Sequence, residues 1–493
     1  MESSLLMKKL SDFNLNKEED SYKNCLNLRT FIDEIVENDL ELIIEKQSNI
    51  LDLPKEVISR KLKKIIFNKF NFESGKFHIS NKLLNIFKGY LINIFLIFYI
   101  FIFRKKVKNF EERDITLDGV DSEDELNRFK PLFSKFDKSF FIKNKNFKFF
   151  AKTIPNSKSI SFYGKPINPM LLKDKIFYYL KFLNFLIGLS VKKKFNYFDL
   201  TNIILFAVLR SESIFYNYKS KFKINDRFYY TCPVKNYIFK KHGGKLNVCT
   251  QIHLVEASIS FYTDTDVLFT LGNEKSSKKK LLDLGGKIEN TFPIGSLKME
   301  HLLLTNNKLI NDEHYKSDVL IVGINVHRWI HTSNLIKKNY YNFIEWMGLA
   351  SKKFPNLKFV YKHHSNNKKD MREEKILNGS RINIISEKKV SSSFDHYGSY
   401  YYLKNSKIVF SFASTMILEA RCLNKEAYFV DPKFQNSGYF GQLEYLKNIR
   451  IDSFESIEKI ISRKNNFNEI VNNTFCISSK DTTEKIFNFL QKF

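Results

Sequence analysis

The sequence predicts an α/β protein: two successive units in which short apolar strands alternate with helices, behind a helical amino-terminal extension. Three observations predict it. From residue 114 onward, apolar runs of four to seven residues alternate with helical patterns, the signature of parallel sheets built from crossover units. Residues 407–422 run from a hydrophobic strand into a small hydroxyl turn and straight on into a helix. Before residue 80 the apolar positions recur instead at three- and four-residue spacing. A length of 493 residues with 43% hydrophobic content suits two or three domains with sizeable cores.

The extension comes first. Residues 31–43 (FIDEIVENDLELI) and 57–67 (VISRKLKKIIF) are helical by period and carry no chemistry. Residues 83–103 (LLNIFKGYLINIFLIFYIFIF) are different, with five phenylalanines and Arg104-Lys105-Lys106 directly behind. Lys88 interrupts the run, and the unbroken part falls short of the ~20 residues that a bilayer span needs. A core helix, an interfacial or re-entrant helix and a single span all fit. The phenylalanines and the basic flank favour the interfacial reading, with that flank on the cytoplasmic side near anionic lipid.

In the first α/β unit, strands are expected at 114–120 (DITLDGV), 159–163 (SISFY), 227–232 (RFYYTC), 246–250 (LNVCT) and 266–271 (DVLFTL). Helices are expected at 122–136, 171–189 and 198–215. In the second unit the strands are 318–323, 357–361, 382–385, 407–412 and 426–430, with helices at 342–353 and from the 413–415 turn through Cys422. The domain boundaries expected from this are 1–107, 108–300 and 301–493. A ligand then belongs in the crevice between the two units.

Lys and Arg number 80 against 53 Asp and Glu, a net charge of +27. Such a charge attracts nucleic acid, an acidic membrane face or phosphorylated substrates. The basic clusters are scattered and no zinc finger or RNA-binding aromatic signature is present, so a nucleic-acid partner is not expected. Five cysteines without a CxxC pair form neither a disulfide framework nor a zinc site, which fits a reducing, cytosolic setting. The polar, acidic amino terminus is not a secretory signal.

The strongest motif is SFASTMILEA, residues 411–420. Ser414 or Thr415 suits the N-cap, and with Ser411 they form the small hydroxyl turn. The first N–H groups of the helix then face the crevice and suit a diphosphate. Glu419 lies about one turn on, where a carboxylate accepts ribose hydroxyls. The plainer reading is an ordinary capped helix with a solvent-facing Glu. Asp264-Thr265-Asp266 has the spelling of a metal-binding DxD, but it introduces a strand at the end of the first unit, which argues against a metal. Gly243-Gly244-Lys245 and Gly285-Gly286-Lys287 lack P-loop spacing.

Residues 399–432 (SYYYLKNSKIVFSFASTMILEARCLNKEAYFVDP) resemble the carboxyl-terminal half of GT-B glycosyltransferases that build bacterial surface and capsular polysaccharides, and of the related CDP-glycerol glycerophosphotransferases. Ser406 takes the small position before the strand, Ser414-Thr415 the turn and Glu419-Ala420 the Glu-Ala pair. Asn424-Lys425-Glu426 replaces the usual Gly-Lys-Pro. The same families follow a strand with basic-x-His-Pro. Residues 359–365 (FVYKHHS) match it with Lys362 and His364, with Ser365 in place of proline. In the loop after the second unit's first strand (IVGINVHRW), Arg328 takes the basic position. Residues 266–299, through FPIGS, resemble the segment that closes the first GT-B domain, and 244–253 the strand end before it, with Ile252 inserted ahead of His253.

The resemblance covers roughly half the chain. It implies two Rossmann-like domains facing a cleft and a metal-independent transferase, with no cofactor beyond the nucleotide-sugar that is its substrate. Donor contacts fall to Arg328, Lys362, His364, Ser411, Ser414, Thr415 and Glu419. The general base comes from the first domain, where Asp118 and Asp121 stand around Gly119 at one strand end and His253 at another. The implied reaction moves a sugar to a lipid-linked or growing surface glycan on the cytoplasmic face of the inner membrane, the protein being peripheral or monotopic with a single span left open. A polyol-phosphate transferase, a UDP-sugar 2-epimerase and a non-catalytic glycan- or membrane-binding assembly protein are the alternatives.

Overall fold

The structure is a computed structural model that describes residues 5–78, 83–102, 111–144, 156–163, 174–251, 254–255, 257–273, 275–300, 315–324, 333–364, 370–385, 398–432, 444–463, 474–477 and 479–493. The extension folds as α1 (Leu5–Asp12), α2 (Ser21–Glu34), α3 (Glu41–Leu51), α4 (Lys55–Phe67), a small hairpin of β1 (Phe70–Asn71) and β2 (Lys76–Phe77), and α5 (Leu83–Ile102). Asp20 starts α2 by accepting the N–H groups of Tyr22 and Lys23, as an N-cap carboxylate should. The inward residues Leu28, Ile32, Ile58 and Leu62 are fully buried and belong to the same apolar core as Tyr179, Leu183 and Ile204 further along. The extension is therefore a layer of the first domain, and the Arg60–Asp264 ion pair (3.3 Å) ties it there.

The first domain continues with β3 (Glu111–Val120), α6 (Glu123–Phe133), β4 (Ser139–Lys143), β5 (Ser157–Ser161), α7 (Ile176–Lys193), α8 (Phe198–Asn217), β6 (Tyr218–Asn225), α9 (Pro233–Lys241), β7 (Leu246–Thr250), β8 (Asp264–Thr270), α10 (Ser276–Asp283) and β9 (Lys287–Pro293). Its sheet has the order β5-β4-β3-β6-β7-β8-β9, and every pairing is parallel. Central residues such as Ile115, Leu117, Ile224 and Val248 are fully buried, as expected for strands covered on both faces.

The second domain holds β10 (Ser317–Val322), α11 (Asn334–Lys353), β11 (Phe359–Lys362), α12 (Met371–Asn378), β12 (Ile382–Ile385), α13 (Gly398–Asn405), β13 (Ser406–Ser411), α14 (Met416–Cys422), β14 (Glu426–Val430), β15 (Arg450–Ile451) and α15 (Phe454–Ser462). Its sheet runs β12-β11-β10-β13-β14-β15, again all parallel. The fold class is the expected one: two Rossmann-like α/β domains with a helical extension.

Several elements differ from expectation. Residues 227–232 are not a strand: Phe228–Tyr230 form a single 3-10 turn. The strand lies just upstream as β6, whose alternating YKSKFKIN has apolar residues at only some positions and is continuous with the preceding helix. Strands β4 and β9 and helix α9 were not expected at all. The last helix, α16 (Thr482–Leu490), lies on the first domain and not on the second. Ile486 and Leu490 are buried with Leu126, Phe129 and Phe136, and Phe489 meets Phe269 edge-on at 5.3 Å. The returning chain donates Ile477 N to the Leu271 carbonyl (3.0 Å). Only glycine fits beside it, because a Cβ on Gly272 would fall on the Thr474 carbonyl oxygen. Residues 83–102 do form a helix, and among the described residues no helix is long and apolar enough to cross a membrane.

Candidate functional site

In a doubly wound sheet the chain builds outward in one direction, returns to the middle and builds in the other. The two adjacent strands where this happens leave a crevice at their carboxyl ends. In the first domain they are β3 and β6, in the second β10 and β13. Among the described residues, hydrogen bonds from the segments after β7 and β9, at the same carboxyl edge of the first sheet, reach the second domain just beyond β13. Leu254, after β7, donates its N–H to Thr415 Oγ1 (3.0 Å), just after β13. Ser296, after β9, donates its hydroxyl to Glu419 Oε1 (2.6 Å) in α14. The carboxyl edges of the two sheets thus face one another.

The first-domain edge carries a dense charge network. Gly119 interrupts the β3–β4 register with φ +89, and Tyr230 lies so close that a Cβ would sit 3.3 Å from it. Two residues on, the half-buried Asp121 accepts the Tyr230 hydroxyl, and its N–H donates to Glu125 Oε2 (2.7 Å). Glu125 is buried and paired with Arg227 (2.6 Å); burial raises its carboxyl, with Arg227 opposing. Arg128 and Asp226 form a buried ion pair at 2.8 Å. Behind them Asp118 is wholly buried between Lys235 (2.7 Å) and Lys223 (3.5 Å). Burial would raise its carboxyl, but the two ammonium groups overcome that and hold it below the ordinary range. Asp118 is therefore a structural charge beneath α9, and Asp121 is the β3-end carboxylate at the rim.

On the second domain, Ser411, Val322 and Lys362 are level across β13, β10 and β11. Ser411 is fully buried and donates its hydroxyl to the Val322 carbonyl (2.8 Å). That bond stitches the central strands and takes the hydroxyl away from the crevice, a correction to its expected donor contact. Ser414 accepts the Met416 N–H at 3.2 Å just ahead of α14, while Thr415 takes the N-cap position without a side-chain cap and accepts from the first domain instead. Helix α14 has only 7 residues, so its dipole is short. Glu419 is not solvent-facing, being 2% exposed, with Ser296 on one carboxylate oxygen and the Tyr400 hydroxyl on the other (2.7 Å). Burial raises its carboxyl; Lys298, Ser296 and Tyr400 oppose. Burial in turn pushes the Lys298 ammonium down to about 8, against the pull of Glu419.

Lys362 is buried, with its Nζ 3.2 Å from the His363 carbonyl, and His364 is exposed one residue beyond. His363 faces inward onto Glu373 (3.2 Å), which also accepts the hydroxyls of Tyr340 and Tyr361. Arg328 and His253 lie outside the described residues. Asp264 and Asp266, the DxD spelling, are committed to Arg60, Asn236 and Lys240.

Residues the sequence reading passed over include Glu125, Arg128, Asp226, Arg227, Tyr230, Lys298 and Tyr400. Asp226 and Arg227 carried a usable signal, a charged pair closing a strand, but it was lost with β6. Ser296 stood inside the FPIGS motif without a partner to give it meaning.

No protein-family model matches the sequence, and no curated protein matches it. Among solved structures, UDP-N-acetylglucosamine 2-epimerase from Rickettsia bellii aligns at 12% identity over 78% of this chain and 97% of its own, TM-score 0.41. UDP-GlcNAc 2-epimerase from Neisseria meningitidis, bound to UDP-GlcNAc, aligns at 12% identity over 77% and 100%, TM-score 0.41. The wall teichoic acid polymerase TagF aligns at 10% identity over 83% and 98%, TM-score 0.39.

Proposed function

We propose that the chain is a GT-B-type enzyme that binds a nucleotide-sugar between its two domains and transfers the sugar to a lipid-linked or growing surface glycan. The observation that carries this reading is the opposition of the carboxyl edges of two doubly wound sheets, held by Leu254–Thr415 and Ser296–Glu419. Such an edge pair takes an extended ligand with a nucleotide on one side and an acceptor on the other.

In this reading the second domain holds the donor. Ser414 and Thr415 lie at the turn where the diphosphate rests, with Lys362, His364 and, in the loop after β10, Arg328 supplying positive charge as the leaving group develops its own. Ser411 acts only by fixing the strand. Glu419 exchanges its Ser296 or Tyr400 hydroxyl for a ribose hydroxyl. Asp121 is the acceptor-side base, with Tyr230 holding it in place, and His253 follows β7 on the same domain. The reading assigns no step to a metal.

A thermal-shift screen of the full chain against UDP-, GDP-, CMP- and CDP-sugars tests it, followed by assay of nucleotide release with and without acceptor. One donor class should raise the melting temperature in a concentration-dependent way. Stabilisation by none of them overturns the reading. Binding without nucleotide release favours a non-catalytic binding protein.

A further inference from the structure

The described part of α5 has two unlike faces. Ile86, Asn93 and Ile97 point inward and are buried, and a Cβ on Gly89 would collide with Phe198 of α8. Asn93 is a polar pin in this apolar helix: it accepts the Tyr179 hydroxyl of α7 (2.8 Å) and donates to Asn202 of α8. These contacts fix the rotation of α5. The opposite stripe, Leu84, Phe87, Leu91, Phe95 and Phe98, is 56–67% exposed at three- and four-residue spacing. Helix α7, packed alongside, adds Phe177 (59%) and Tyr178 (62%). An apolar face of this kind on two adjoining helices marks an interaction surface.

Its charge says what covers it. No acidic residue occurs from 83 to 110 or from 175 to 198. Lys88 and Lys181 lie within the two helices, Lys192-Lys193-Lys194 closes α7, and Arg104-Lys105-Lys106 follows α5 in sequence. Lys181 rides over the Phe177 ring at 4.3 Å, its stem along apolar surface and its ammonium at the edge. We infer that the outer faces of α5 and α7 together seat the protein on an anionic bilayer surface, rings in the acyl boundary and lysines among the headgroups. The helices lie in the interface and do not cross it. This surface does not depend on the transferase reading.

Flotation of the full chain with vesicles tests the inference, using equal parts phosphatidylcholine and phosphatidylglycerol against phosphatidylcholine alone. The wild type should float with the anionic vesicles, less so in high salt, and weakly with the neutral ones. Phe95→Ser and Phe177→Ser, at exposed positions on the two helices, should each reduce recovery about tenfold while leaving the melting temperature unchanged. Absence of wild-type flotation overturns the inference. So does undiminished flotation of both variants, or a wild-type dimer in solution that Phe95→Ser turns into a monomer, since a second copy would then cover the face.

Discussion

Replacing Glu419 with alanine should weaken the closure between the domains before any ligand is considered. The carboxylate is 2% exposed and accepts one hydrogen bond from Ser296 across the cleft and one from Tyr400 within its own domain. A hydrogen bond to a charged group contributes about 1.5–3 kcal/mol. Losing both, with two hydroxyls and the Lys298 ammonium left behind, costs about 3–5 kcal/mol. At ~2–4 °C per kcal/mol, melting falls by on the order of ten degrees. Glu419→Gln keeps the shape and costs less, and pH separates it from the wild type. Burial raises the folded carboxyl above its unfolded value, so the fold favours the protonated form. That contribution is full below the unfolded pKa and is lost as pH rises through the folded one, so the glutamine variant should gain on the wild type from pH 4 to pH 7 (the unfolded value being about 4.3). Urea titrations at several pH values measure this. An alanine variant within about 1 kcal/mol of the wild type at every pH would refute the reasoning, because the clasp would then be absent in solution.

Ser296→Ala removes the cross-domain half of the same clasp and should lower stability by about 1–2 kcal/mol, measured by calorimetric unfolding. Lys362→Ala and His364→Ala should each lower donor affinity about tenfold or more by titration calorimetry, as expected for lost phosphate contacts. Asp118→Asn leaves Lys223 and Lys235 buried without their carboxylate and should cost about 3–5 kcal/mol in urea. The Asp118 carboxyl is held low when folded, so its contribution to the wild type is present above the unfolded pKa and lost as pH falls through the folded one. Gly272→Ala should cost about 1–3 kcal/mol and loosen α16, seen as faster amide exchange over 482–490.

The second sheet was legible because strands such as DVLIVG and KIVFSF are continuous apolar runs closed by small residues. β6 was not: its lysines alternate with apolar residues and no turn residue separates it from α8, so periodicity alone joined it to the helix. The placement of α16 was also hidden, since a helix's period shows that it buries a face but not which sheet receives it. At the site, SFASTMILEA identified the right edge, while the partners of its residues could not be read. Glu419 was recognisable as a donor-side carboxylate, but its burial was hidden because Ser296 and Tyr400 are 123 and 19 residues away from it in sequence. Asp121 was recognisable from its position after a strand, but the pairing of Glu125 with Arg227 and of Arg128 with Asp226 required the fold.

Hydrogen–deuterium exchange of the full chain, with and without the nucleotide-sugar that stabilises it most, tests the central claim most directly. Two facing carboxyl edges predict protection on both sides of the cleft at once: in 414–420 and around Lys362 on the second domain, and in 121–128 and 226–231 on the first. Protection confined to other surfaces, or to none, would contradict the account.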